Sequence, residues 1–234
     1  METIRPLMDL ASLKEASRLE AVIWGAHDPT PKALLTVFAY HGGVVLGAFD
    51  GSQMVGVVVG FPAIDASDRL YLHSHLLGVL PAYRRRHIGE RLKWAEWQFA
   101  EARGFSYVGW TYDPLMAANA WFNLGVLGAR VADVQENVYG PLGDGINGGL
   151  PTHRFWVEWN PNQKRPALAS GSEVRQVIPQ DVAMLRQRDP RAAELQANRF
   201  FAEARALFEA GFRVSRVERQ GDGVAYLWSK EADV

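Results

Sequence analysis

The chain has 234 residues, 48% of them hydrophobic and 22% charged, a balance that excludes extended disorder and suits one large domain or one domain with an appendage. The formal net charge of -1 gives no global pull toward nucleic acid or an acidic membrane, so any anion site must be local. The lack of cysteine removes disulfides, thiolate metal sites and a thiol nucleophile together.

The opening "METIRPLMDLASLKEASRLE" has no apolar core of signal-peptide type. No window approaches the roughly 20 apolar residues that span a bilayer, and a soluble cytoplasmic protein is expected. "TIRPL" reads as a short strand. From Asp9 to Trp24, Leu10, Leu13, Ala16, Leu19 and Ile23 repeat at helical spacing, and Gly25 stops the helix. "PKALLTVFAY" is a second helix, with Pro31 at its start. "GGVVLGAFDGSQMVGVVVGFPAI" reads as two strands joined by a tight turn at Asp50-Gly51. "LYLHSHLLGVL", residues 70–80, is a further strand, with Leu70, Leu72, Leu76 and Leu80 on its even positions and Tyr71, His73, His75, Leu77 and Val79 on its odd ones.

A helix follows, with Ile88, Leu92, Ala95, Phe99 and Ala102 as its apolar stripe and Gly104 as its end. "FSYVGWTY" is a strand over 105–112. "PLMAANAWFNLGVLG" is a helix with proline in its first turn and glycine at its end. "ARVADVQENVYG" and "THRFWVEW" are two more strands, joined by the glycine-rich "GPLGDGINGGL". Residues 160–173 read as a linker. Beyond it come two helices split at Asp189-Pro190 and a hairpin turning at Gly221-Asp222-Gly223. The order predicts an α/β (α+β) sheet with helices on its faces over residues 1–159, and a helix-hairpin extension over 174–234 that packs on the domain or on a partner subunit.

One stretch stands out. "VLPAYRRRHIGERLK", residues 79–93, places Arg84, Arg85, Arg86 and His87 between a strand and a helix, with Gly89 at the helix entrance. A helix N-terminus presents unpartnered N–H groups and the positive end of a dipole, Gly89 permits close approach, and guanidinium groups add charge-assisted bonds. Those properties suit a pyrophosphate; a solvated arginine cluster at an ordinary turn is the alternative. Neither GxxxxGK[ST] nor GxGxxG is present.

Strand, V-x-P-x-Y-R-x-R-x-I-G, helix, strand, helix resembles the GNAT (GCN5-related N-acetyltransferase) superfamily, in a subgroup with a C-terminal extension. The superfamily's Q/R-x-x-G-x-G/A signature falls on Arg84-Arg85-Arg86-His87-Ile88-Gly89, with His87 in place of the middle glycine. "GGVVLGAF", "LHSHLLGV", "WTYDPLMAANAWFNLGVLGA" and "LPTHRFWVEW" extend the likeness over roughly residues 3–159. The resemblance implies a mixed, mostly antiparallel sheet splayed between its fourth and fifth strands. It implies an acyl-CoA whose pantetheine pairs with backbone around Leu77, Gly78 and Val79, and whose pyrophosphate meets residues 85–90, from Arg85 to Glu90. An amine would attack the thioester directly, with acetyl-CoA or succinyl-CoA as donor and a small amine, such as an amino acid, as acceptor.

The resemblance also guides the catalytic candidates. Relatives often carry a glutamate six residues before the strand's valine, and His73 stands there. With an ordinary pKa of about 6.5, His73 or His75 could take the amine's proton, directly or through water. The usual tyrosine acid is replaced by Leu124. Asp113 either orients the amine or a histidine, or caps the following helix. Asn119 and Asn123, four apart, are candidates for cofactor and acceptor contact or solvated helix surface. Trp24, Trp110, Tyr112, Tyr139 and Arg154 are candidate acceptor-pocket residues, with Arg154 gripping a carboxylate. His73 and His75 also share a strand face as metal ligands would, but lack a clear third ligand, so no metal is expected. A non-catalytic acyl-CoA-binding module is the rival function, and the extension offers a surface for a homodimer.

Overall fold

The structure, a computed structural model, describes residues 2–25, 29–140, 150–163, 173–178, 182–220 and 223–230. Most of the predicted glycine-rich loop at 140–150 and of the linker at 160–173 lies outside the described residues, as do Gly221 and Asp222 of the predicted hairpin turn. The chain divides into two compact units, Met1–Trp110 and Thr111–Val234.

The first unit contains β1 (Thr3–Pro6), α1 (Leu10–Trp24), α2 (Lys32–Tyr40), β2 (Val44–Asp50), β3 (Gln53–Ile64), β4 (Leu70–Val79), a 3-10 turn at Pro81–Tyr83, α3 (Ile88–Glu101) and β5 (Val108–Tyr112), in which the division falls. Local chemistry sets several boundaries. The Asp9 side chain accepts from the Ala11 and Ser12 amides and starts α1, and Gly25, at φ 64°, ends it. Gly51, at φ 58°, takes the left-handed position of the β2–β3 turn. The strand order is β1-β2-β3-β4-β5, antiparallel except for the parallel β4–β5 pair.

Helices on both faces bury β2 and β3 almost throughout, which is why these strands read as near-continuous apolar runs. One face carries the core of Leu13, Ala16 and Leu19 from α1 and Leu35 from α2 against Val45, Val57 and Val59. On the other, α3 lies close because β3 has glycine beneath it. A Cβ on Gly56 would stand 3.2 Å from Leu92 Cδ1 and 3.3 Å from Ile88 Cγ2. The buried stripe of α3 is Ile88, Leu92, Lys93, Glu96, Trp97 and Ala100. The apolar spacing predicts Ala95, Phe99 and Ala102 on that stripe; the observed stripe advances by four residues from Ile88 and carries two charges.

The second unit contains α4 (Ala117–Ala120), running directly into a π-helical turn (Trp121–Val126), then β6 (Arg130–Gln135), β7 (Arg154–Trp159), β8 (Val174–Val177), α5 (Val182–Arg188), α6 (Pro190–Glu209), β9 (Phe212–Gln220) and β10 (Gly223–Lys230). Strand β6 pairs antiparallel with β7. Asp189 caps α6 by accepting from the Ala192 amide, with Pro190 at the first helical position, so the predicted split between α5 and α6 falls at this pair. The expected hairpin is part of a three-stranded sheet, β8-β10-β9, in which β8, just beyond the predicted linker, is a strand the sequence does not predict. The middle strand β10 is buried, with Tyr226 and Trp228 inaccessible. Tyr226 packs against Phe155 of β7 and Phe200 of α6, so the extension shares a core with β7 inside this unit.

Candidate functional site

The three arginines are exposed at the head of α3. Arg85 and His87 both take left-handed backbone, at φ 64° and 59°. His87 stands where the signature has its middle glycine and keeps the backbone path a glycine would take. Histidine is among the side chains that tolerate this region, and His87 Nδ1 lies 2.9 Å from Glu90 Oε2 in the first turn of α3. Tyr83 steadies the turn: its hydroxyl donates to Asp50 Oδ2 at 3.1 Å, and the Arg86 guanidinium lies over its ring at 4.9 Å. Arg84 Nε donates to the Val79 carbonyl at 3.3 Å, tying the turn to the end of β4. Ile88 is buried, Gly89 and Glu90 half-buried, so the helix is anchored by Ile88 and its first turn opens outward.

Strand β4 departs from simple alternation. Val59 faces Leu76 and Gly60 faces Ser74, so His75 is the extra residue of a β-bulge. Before the bulge, Leu72 and Ser74 face α3; after it, Leu76 and Leu80 join the core under α1 and α2. The reading of all even positions as one face fails for this reason. The pairing of β4 with β5 is confined to Leu72–Val108 and His73–Gly109. From Ser74 to Val79, the edge of β4 that had faced β5 has no strand partner among the described residues of the first unit. Gly78 admits Trp24 of α1, because a Cβ there would stand 2.5 Å from Trp24 Cη2 and 2.8 Å from Ile23 Cδ1. Leu77 and Val79 are half-buried on either side of it.

The bulge leaves His73 and His75 on one face with two phenylalanines. His73 stacks on Phe61 at 4.9 Å, Phe61 stacks on Phe38 of α2 at 4.9 Å, and His75 sits at 6.1 and 6.2 Å from Phe61 and Phe38. The two imidazoles differ in surroundings. Burial, then the neighbouring His75 and Lys93, pushes His73 down from 6.5 to about 4. His75 keeps an exposed edge, and the partial burial of its ring alone lowers its pKa. His75 Nε2 lies 3.4 Å from Thr30 Oγ1.

Behind β4, on the face toward α3, lies a buried polar cluster that the sequence reading did not single out. Lys93 Nζ donates to Glu96 Oε2 at 2.7 Å and to Ser74 Oγ at 2.9 Å, and Ser74 Oγ donates to Glu96 Oε2 at 3.1 Å. Burial pushes the Lys93 pKa down and Glu96 opposes the shift. Lys93 Nζ also sits 3.6 Å from the Trp110 ring centroid. Trp110 is therefore buried under α3, on the opposite face of the sheet from the histidines, and not open to an acceptor. An amphipathic reading of α3 sends Lys93 and Glu96 to solvent; their spacing of three residues was the available sign that they could pair.

Six further candidates lie in the second unit. Asp113 has both carboxylate oxygens engaged: Oδ1 accepts from the Leu115 amide at 2.9 Å and Oδ2 from Arg186 at 2.6 Å. The α-helix starts at Ala117, so Asp113 closes the turn ahead of it and does not cap a helix beginning at Pro114. Tyr112 is buried, its hydroxyl 3.2 Å from that of Tyr226, and burial pushes its pKa up. Asn119 is exposed whereas Asn123 is buried. The bond from the Leu127 amide to the Phe122 carbonyl marks the π-turn, whose wider winding breaks the shared face that four-residue spacing predicts. Tyr139 is exposed and its hydroxyl lies 2.9 Å from Thr111 Oγ1. Arg154 is buried, donates to the His153 carbonyl and lies 5.6 Å over the Tyr139 ring.

The described residues contain no cluster of three or more histidine, cysteine or acidic side chains placed to hold a metal, and no helix long and apolar enough to cross a membrane.

Residues 11–126 match the model of the Acetyltransferase (GNAT) family. No curated protein matches the chain. Among solved structures, it is similar to the ribosomal-protein-S18-alanine N-acetyltransferase from Escherichia coli, with 16% identity and a TM-score of 0.54 over 70% of this chain and 100% of that one. It is also similar to Arabidopsis thaliana Naa50 in complex with a bisubstrate analogue, at 17% identity and TM-score 0.54, covering 68% of this chain and 98% of that one. A third likeness is to Arabidopsis thaliana NAA60 in complex with acetyl-CoA, at 14% identity and TM-score 0.55, covering 68% of this chain and 99% of that one. At these identities the likeness is one of fold.

Proposed function

Since the chain belongs, through residues 11–126, to the GNAT acetyltransferase family, we propose that it transfers an acetyl group from acetyl-CoA to the amine of a small molecule, with His75 as the base. The observation that carries this reading is the end of β4: a strand that pairs with β5 at two positions, bulges at His75 and runs into the exposed arginine turn at the head of α3. The free edge of β4 from Ser74 to Val79 fits an amide-bearing pantetheine arm. The amides at the start of α3 and the exposed Arg84, Arg85 and Arg86 fit a pyrophosphate. The acetyl-CoA-bound likeness supports acetyl as the donor group, and succinyl-CoA is tested beside it.

The donor supplies an activated acyl carbon, so an N–C bond to the amine forms as the C–S bond breaks and CoA leaves as a thiolate. What the chain must supply is a neutral amine. An alkyl ammonium with a pKa near 10.4 is deprotonated in only on the order of one molecule in a few thousand at neutral pH. The best base has a pKa close to the working pH. His73, held at about 4, is neutral at pH 7 but a weak acceptor of protons. His75 is lowered by burial alone and keeps an open edge, so it is both unprotonated and reachable. The phenylalanines beside it favour an acceptor whose body is apolar or aromatic.

The test mixes the protein with acetyl-CoA or succinyl-CoA, a panel of amines including amino acids, and a thiol reagent that reports free CoA. Amine-dependent CoA release, abolished or cut at least tenfold in His75→Ala and less in His73→Ala, is the expected result. Donor binding without CoA release across the panel would replace this reading with a non-catalytic acyl-CoA-binding module.

A further inference from the structure

We infer that Thr30 and Glu20 are positioning residues that fix the proton of neutral His75 on Nε2 and leave Nδ1 as the free lone pair. The inference rests on the reading of His75 as base. Glu20 of α1 holds Thr30 at two points: Oε2 accepts from the Thr30 amide at 3.0 Å and Oε1 from the Thr30 hydroxyl at 3.1 Å. The Thr30 carbonyl in turn accepts from Ser17 Oγ at 2.8 Å. Thr30 is 7% exposed, so its hydroxyl has little access to water. That hydroxyl stands 3.4 Å from His75 Nε2.

The assignment follows from counting protons. An ionised carboxylate only accepts, and a hydroxyl has a single proton to give. Thr30 gives it to Glu20, so its oxygen can meet His75 Nε2 only as an acceptor, and that nitrogen must carry hydrogen. Neutral imidazole then has its lone pair on Nδ1. When Nδ1 takes the amine's proton, the imidazolium keeps its Nε2–H on Thr30, and the Glu20 charge stabilises it through the hydroxyl. Phe38 and Phe61 flank the ring and hold its plane. Among the described residues, the other titratable groups near this face are His73 on the same strand and, across the sheet, Lys93. Of the two, His73 is the group coupled to His75, and each imidazolium disfavours the other.

Nitrogen-15 NMR of the imidazole side chains tests this without reference to turnover, with the His75 signals assigned from His75→Gln. Wild-type protein should show His75 as the Nε2–H tautomer, and Thr30→Ser should keep it. Thr30→Ala should yield a tautomer mixture. Glu20→Gln should do the same, because an amide can donate to Thr30 and release its hydroxyl to donate to His75. Glu20→Gln should also lower the titration midpoint of His75 by roughly half a unit to one unit. The acid limb of kcat/KM should move with it, while Thr30→Ser leaves that limb in place. A wild-type Nδ1–H tautomer, or a tautomer and midpoint indifferent to both Thr30→Ala and Glu20→Gln, would overturn the inference. Full turnover in His75→Ala would instead overturn the base assignment, and the NMR result would still report on the array.

Discussion

Acidification from about pH 7 to about pH 4 should cost this protein stability through His73, by an amount its surroundings set. The ring is half-buried, stacked on Phe61 at 4.9 Å, with Tyr71 at 6.3 Å. Its pKa falls from 6.5 to about 4 on folding. Between those values the unfolded chain binds a proton that the folded chain refuses, so stability falls as pH drops through 6.5 and the loss is complete near the folded value. The gap between 6.5 and about 4 is worth about 3.5 kcal/mol at about 1.4 kcal/mol per unit, and the open part of the ring reduces the expectation to about 2 kcal/mol. Urea unfolding of wild type and His73→Gln across this range isolates the contribution, because the other titrating groups cancel in the difference. Wild type should lose about 2 kcal/mol more than His73→Gln on going to the acid end. Parallel stability curves, or a His73 midpoint near 6.5 by NMR, would refute the reasoning. The same measurement bears on catalysis: a His73 that titrates only near pH 4 leaves an acid limb at higher pH to His75.

Lys93→Met should lose roughly 3–5 kcal/mol in urea or thermal unfolding, because it strands the buried Glu96 carboxylate, and Lys93→Met with Glu96→Met should recover most of the loss. Arg84→Ala with Arg86→Ala should weaken CoA binding about 30-fold to 150-fold by calorimetry, with a shallower salt dependence, since each exposed guanidinium is worth roughly 1–1.5 kcal/mol against phosphate. Gly78→Ala should destabilise by roughly 1–3 kcal/mol, because the new Cβ would stand 2.5 Å from Trp24 Cη2; an unchanged unfolding midpoint would contradict that packing.

Element boundaries marked by strong local chemistry were legible in the sequence. The Asp9 cap and Gly25 stop of α1, the Asp50-Gly51 turn and the Asp189-Pro190 break all sit where a cap, a left-handed glycine or a proline places them. So was the GNAT-like order of elements in a mixed, mostly antiparallel sheet. What escaped was set by tertiary context. β8 is short and follows chain that reads as linker, and it forms a strand only because the edge of β10 pairs with it. The π-turn at Trp121–Val126 leaves no mark on spacing rules built for 3.6 residues per turn. Lys93 and Glu96 read as surface charges because each is hydrophilic alone; only as a pair, with Ser74 beneath them, can they be buried.

The candidate site turns on the same difference between local and tertiary information. A strict two-residue period would put His73, His75, Leu77 and Val79 on one face and bury Leu76 opposite them. The extra residue at His75 breaks that period: the two histidines keep one face, Leu76 and Leu80 pass to it, and Leu77 and Val79 are left on the other. Bulges raise the local twist of a strand. Here the twist falls just beyond the last residue that pairs with β5, so the feature that gathers the histidines coincides with the one that frees the edge of β4. The two imidazoles are thereby brought to one face yet given different chemistry, one stacked on Phe61 with Lys93 across the sheet, the other open at an edge and tethered to Thr30. A sequence with histidine at alternate positions supplies two equivalent candidates; the inserted residue makes them unequal, and that inequality is the ground on which His75 is proposed as the base.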